Sequence, residues 1–321
     1  MFLHRRAIYN MIYLPDAPEV KNFKGWQKEN YRCLKDTELL KRLGINGLSI
    51  PNLDTFQQVA TDYASPDEMA DELAPEEDQI YLLLFELWRR HLPEQRCPSV
   101  FCDELDFQIA HFERGDLSLQ EELKEIVDYL LQIFDDHVDE GADPHAVYRA
   151  FQEYCAHNLD QFLYNYVATQ IDSGNIEYAY DLIDGFYRYV SEPLFFEFQL
   201  ARVAILQDPE SGTLFLEKLI RKVKRLDLAE EILLYLAQER NHPLFCQLVL
   251  KTLPLLEDEG NFCELLDLCI VHFDRIQIDS SDFKKLFDKH AKKNPDSELD
   301  PKDADVKEVK KLIKKKLEIE T

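Results

Sequence analysis

Residues 119–138 read LQEELKEIVDYLLQIFDDHV. Within them Leu119, Leu123, Ile126, Val127, Leu130, Leu131, Phe134 and Val138 recur mostly at intervals of three and four. An α-helix turns once every 3.6 residues, so these side chains form one apolar stripe along a helix. The same spacing returns in Leu226, Ala229, Ile232, Leu233 and Leu236, and in Phe262, Leu265, Leu266, Cys269, Ile270 and Phe273. Ile80–Trp88 is apolar on nearly every side, which predicts a central, buried helix. No run alternates β-branched residues with period two, so no sheet is expected.

Start signals agree with the stripes. Ser65-Pro66, Asp143-Pro144, Asp208-Pro209 and Asp300-Pro301 each place a capping side chain before a proline. The first accepts from free N–H groups of the opening turn, and the second tolerates helix position N1. Ser118-x-x-Glu121 has the form of a capping box. Gly115, Gly141, Gly174, Gly212 and Gly260 punctuate the chain at intervals of 26, 33, 38 and 48 residues. That drift excludes a strict repeat and fits irregular helix pairs. The expected fold is all-α, with stacked helix pairs forming an α-solenoid or helical-repeat-like array. Its expected parts are a partly extended arm over 1–28, a helical region over 29–115, the array over 116–293 and a basic helix over 294–321.

The stretch Gly174-Asn175-Ile176-Glu177-Tyr178-Ala179-Tyr180-Asp181-Leu182-Ile183 resembles the second-helix entry of a tetratricopeptide repeat. In that family a turn glycine precedes a small residue five positions on. Gly260-Asn261-Phe262-Cys263-Glu264-Leu265 resembles it less well, with leucine where alanine is expected. The family's first-helix signature (Trp, Leu-Gly, Tyr) precedes neither. Over about 30 residues, the resemblance implies stacking of helix pairs and binding of another protein.

Charge narrows the partner classes. The net charge is −25. Residues 1–42 carry 9 basic and 5 acidic groups, and 282–321 carry 12 and 10. Residues 43–281 hold 16 and 47, a net of −31. Nucleic-acid affinity draws on cations that neutralise phosphates, so DNA or RNA is disfavoured as the main partner. The seven cysteines are odd in number and form no CxxC pair. They read as reduced thiols of a cytoplasmic protein. No apolar run approaches a membrane span.

Motifs for chemistry are sparse. Neither a nucleophile elbow, a phosphate loop nor HExxH occurs, so an enzyme is the less favoured class and no cofactor is expected. Asp135-Asp136-His137-Val138-Asp139-Glu140-Gly141 is acidic enough for a hard cation, but Val138 and Val147 fall where a calcium loop needs oxygen ligands. Glu153 with His157, and Glu239 with His242, have helical spacing for a shared metal; surface ion pairs or helix-end histidines are the plainer reading. A metal-dependent helical enzyme is therefore one alternative function. A nucleic-acid-associated factor using the basic ends is another, since Phe23, Lys24, Trp26, Lys28, Tyr31 and Arg32 interleave rings and cations. The plainer reading docks those rings on the body.

The leading expectation is a protein-binding adaptor, chaperone or regulator. Residues 162–198 hold 11 aromatics in 37 positions, against 12% for the whole chain. Tyr164 and Tyr166, Tyr178 and Tyr180, and Tyr187 and Tyr189 are each two apart. Such neighbours point to different helix faces, so one of each pair is expected to leave the core. Lys218, Arg221, Lys222 and Arg225 share a second candidate face, open to an acidic peptide or phosphate. The competing reading there is a solvated ridge paired with acids of the next helix.

Overall fold

The computed structural model describes residues 24–74, 78–95, 97–300 and 302–318. Sixteen α-helices follow one another, with no strand among the described residues. The chain is all-α, with packed helix pairs. It divides into two units. Residues 1–23 of the expected N-terminal arm lie outside the described residues.

The first unit comprises residues up to Tyr166 together with Asp184–Ser191. It contains α1 (Asp36–Ile45), α2 (Leu53–Ala60), α3 (Pro66–Leu73), α4 (Asp78–His91), α5 (Pro98–Glu113), α6 (Gln120–Asp139) and α7 (Pro144–Tyr154). Every residue from Ile80 to Trp88 in α4 is buried, as its all-round apolarity requires. α1 and α3 pack against it. Tyr31 joins the same core, and Trp26 packs on its edge. Arg32 reaches Asp103 at 2.5 Å and lies over the Phe107 ring. Trp26, Tyr31 and Arg32 of the interleaved segment thus dock on the body. α5, α6 and α7 pack together around Phe134, whose ring meets Phe151 and Tyr148 edge-on.

α8 (Leu159–Asp172) and α9 (Ile176–Phe186) each contribute to both units. The second unit continues with α10 (Pro193–Gln207), α11 (Pro209–Lys222), α12 (Leu226–Glu239), α13 (His242–Thr252), α14 (Glu259–Arg275), α15 (Ser281–His290) and α16 (Ala304–Leu317). The pairs are α10 with α11, α12 with α13, and α14 with α15. α10 and α11 approach so closely that a Cβ on Gly212 would lie 2.3 Å from the backbone nitrogen of Ile205. α16 packs on α13 through its buried Val306, Val309 and Ile313.

Local signals set most helix starts. Ser65, Asp143 and Asp208 each accept a backbone hydrogen bond ahead of a proline at N1 or N2. Two expected starts are corrected. The Ser118 box does not form, because Asp116 accepts from the Ser118 N–H and side-chain hydroxyl and opens a 3-10 turn over Leu117–Leu119. The last helix begins at Ala304, capped by Asp303 rather than Asp300.

Candidate partner-binding sites

The structure sorts the tyrosine pairs unequally. Tyr180 and Tyr187 are 48% and 41% exposed, and Tyr178 is half-buried. Tyr189 is buried, so the second and third pairs each send one ring outward. The first pair corrects the expectation: Tyr164 and Tyr166 are both buried, at 6% and 3%. Tyr166 packs against Phe112 and Phe162, which occupies the face that spacing alone left open. The Tyr189 hydroxyl donates to Asp135 at 2.6 Å. Burial, then that carboxylate, push its pKa up to about 12. Arg188 donates to the same Asp135 oxygen, so this member of the acidic cluster is already engaged.

The basic ridge on α11 is largely paired. Arg221 meets Glu217, Lys222 meets Glu197, and Arg225 meets Glu192 and Asp227. Lys218 is exposed. Three of the four cations thus pair with acids on their own and neighbouring segments, the arrangement of the competing reading.

The histidines expected beside glutamates have other partners. His157 Nδ1 lies 2.9 Å from buried Asp106, whose carboxylate also accepts from the Ala156 and His157 N–H groups. His242 Nε2 is 2.9 Å from the Lys316 carbonyl, and its Nδ1 is 3.2 Å from His272 Nε2. The two rings are nearly parallel, 6° apart with centroids at 5.5 Å. That separation equals the N···N distance plus two ring radii, so the rings meet edge to edge. The carbonyl can only accept, so His242 Nε2 donates to it and His272 Nε2 donates to His242 Nδ1. His272 Nδ1 is buried and has no partner among the described residues.

A cleft in the first unit presents a different chemistry. Arg89 and Pro93 bound it at the end of α4, with Val100, Phe101 and Glu104 from α5 and Glu122, Glu125, Ile126 and Tyr129 from α6. It encloses about 560 Å³, within the roughly 300–1,000 Å³ usual for ligand pockets. Phe101 and Tyr129 meet edge-on at 5.6 Å. Arg89 donates to buried Glu86 at 2.7 Å and to Glu104 at 3.3 Å. Burial opposes its charge, yet these bonds and charges hold its pKa raised. Glu122 and Glu125 are exposed and have no ion pair among the described residues. No family model, curated protein or solved structure matches this chain.

The cleft therefore speaks through its own chemistry. Its one cation is held by carboxylates, and two exposed glutamates share the lining with Phe101, Ile126 and Tyr129. Such a site favours a cation on an apolar stem. Sequence reading missed it because its lining residues come from three helices. The available signal was Glu122-x-x-Glu125-Ile126-x-x-Tyr129, an acidic and aromatic edge beside the main stripe of α6.

Proposed function

We propose that this chain is a protein-binding adaptor, and that the cleft seats a lysine or arginine side chain from a basic segment of its partner. The single observation behind this reading is that exposed Glu122 and Glu125 share the cleft lining with Phe101, Ile126 and Tyr129. The alkyl stem lies on the apolar lining, and the charge sits between the glutamates and over an aromatic face. Cation–π contact contributes about 0.5–2 kcal/mol, and each exposed ion pair about 0.2–1 kcal/mol. A single side chain thus gives a weak anchor, strengthened by neighbouring partner residues. Exposed Tyr180 and Tyr187 offer ring area to other partner contacts. Cytoplasmic action is part of the proposal, in keeping with seven free cysteines.

The test is isothermal calorimetry of the full chain with a peptide alternating lysine or arginine with leucine, beside its norleucine counterpart. Glu122→Gln with Glu125→Gln is expected to weaken the basic peptide about 10-fold, which is 1.4 kcal/mol. The melting point should stay within about 2 °C, since both positions are on the surface. Equal affinity for the two peptides, or for the variant and the parent, defeats the proposal.

A further inference from the structure

α16 carries a second unpaired charge pattern, of opposite sign. Its apolar stripe is occupied: Val306, Val309 and Ile313 are buried against the rest of the unit. Its ends are fixed as well. Asp305 meets Lys289 at 2.5 Å and His290 at 2.8 Å, while the Lys316 carbonyl meets His242. The Lys316 ammonium donates to the Asp279 carbonyl and lies over the Phe273 ring. The helix therefore holds one orientation and keeps its apolar side covered.

Lys307, Lys310, Lys311, Lys314 and Lys315 occupy the outward side. They fall at i, i+3, i+4, i+7 and i+8, a ridge about 12 Å long at 1.5 Å per residue. None has an ion pair among the described residues. Elsewhere in the unit, Lys222, Arg225, Lys284, Lys285, Lys289 and Lys293 sit on carboxylates, and exposed cations such as Lys218 and Lys302 stand apart in sequence rather than in a row of five. The chain has 62 acidic and 37 basic residues, so acids for pairing are abundant. Five adjacent lysines left open in such a chain form a localised positive field.

We propose that this ridge docks a short acidic segment of a partner protein. Its length matches about four extended residues at roughly 3.3 Å each. Lysine supplies mobile point charges and lacks the fork with which arginine grips phosphate in two places, which suits scattered carboxylates. A bilayer plane or a nucleic-acid strand extends far beyond the ridge of about 12 Å, over a chain of net charge −25 whose surface acids oppose anionic partners. Insertion into a bilayer would also require the apolar stripe that α16 buries. A short acidic segment ends where the ridge ends and avoids both penalties.

The experiment is fluorescence anisotropy of the full chain with a labelled peptide of six alternating Asp and Glu residues. Measurements are made at about 50 and 300 mM salt, a range over which screening changes sharply. Parallel arms use a Gln peptide, a single-stranded oligonucleotide and phosphatidylserine vesicles. Saturable binding of the acidic peptide, weakened at least about 10-fold at the higher salt, is expected. The joint variant Lys310→Gln, Lys311→Gln, Lys314→Gln and Lys315→Gln should lose it about 10-fold with an unchanged melting point. Glu122→Gln with Glu125→Gln should leave it intact, which separates this ridge from the cleft. Equal binding by the lysine variant, absence of saturable peptide binding, or tighter binding of the oligonucleotide or vesicles overturns the proposal.

Discussion

The two units bury polar groups of different kinds. In the first, the deepest acids are Glu86, Asp103 and Asp106, at 0%, 1% and 2% exposure. Glu86 accepts from Arg89 and Arg90, Asp103 from Arg32, and Asp106 from two backbone N–H groups and His157. In the second, His242, His272 and His290 are buried at 2%, 0% and 1%. Guanidinium and backbone donors keep one protonation state over the range in which proteins are handled. The difference shows that buried acids met by guanidinium groups dominate one unit, while the other buries a larger share of imidazoles, of which His272 carries a clear acid response.

The strongest test of the contrast is Glu86→Ala. It leaves Arg89 and Arg90 facing a buried gap, with an expected loss of about 3–5 kcal/mol in urea unfolding. A loss below about 1 kcal/mol would show that those arginines find water readily, and the first unit's fixed bonds would count for little. In the second unit, Gly212→Ala tests packing without charge. The added methyl would meet Ile205 backbone, which cannot swing aside. An expected 1–3 kcal/mol follows for overpacking, and wild-type stability would show that α10 and α11 separate at little cost.

Two smaller tests concern pH. Burial, then His242, lower the His272 pKa from 6.5 to about 4. Its unfolded form therefore takes up a proton first, so stability falls as pH drops from 6.5 towards 4. His272→Phe should lower stability at pH 7 through the lost hydrogen bond but flatten that acid slope, as read by melting points from pH 4 to 8. An undiminished slope would assign the acid response to other groups. Glu230 has the opposite sign. Burial, then Glu264, Asp227 and other acids, raise its pKa to about 7. Its folded form holds the proton longer, so stability is lost as pH rises through about 7. Glu230→Gln should raise the melting point by about 1–3 °C at pH 8 and change little at pH 5.

The smallest expected effect falls outside both cores. Tyr180→Ala or Tyr187→Ala should change stability by less than about 0.5 kcal/mol, as checked by urea unfolding. A larger change would mean that these exposed rings carry packing.

The helices were legible because their evidence is local. A stripe repeats within one segment, and a cap bonds within one turn, as at Ser65, Asp143 and Asp208. Ser118 misled because Asp116, two residues earlier, captures its N–H first. Tyr164 and Tyr166 misled for a longer-range reason. Spacing shows that two rings point apart, but not that both directions are covered. The cleft was illegible on the same ground, since Arg89, Phe101 and Tyr129 lie in different helices. Its charges were visible individually; their convergence was not.

The histidine chain ending on the Lys316 carbonyl obeys a parity rule. Two neutral imidazoles bring two donors and two acceptors, and the carbonyl adds a third acceptor. Two bonds consume both donors and strand one acceptor, at His272 Nδ1. Exchanging both tautomers costs a bond: the His242 Nε2 lone pair then faces the carbonyl, and the His272 Nδ1–H is left as a donor without an acceptor. Adding one proton turns the spare acceptor into a spare donor. The mismatch can migrate along the row but cannot be annihilated by any movement of protons. A donor without an acceptor at position 272 would balance the count, and tryptophan is the side chain of that kind. Its greater bulk would then transfer the conflict from proton inventory to volume.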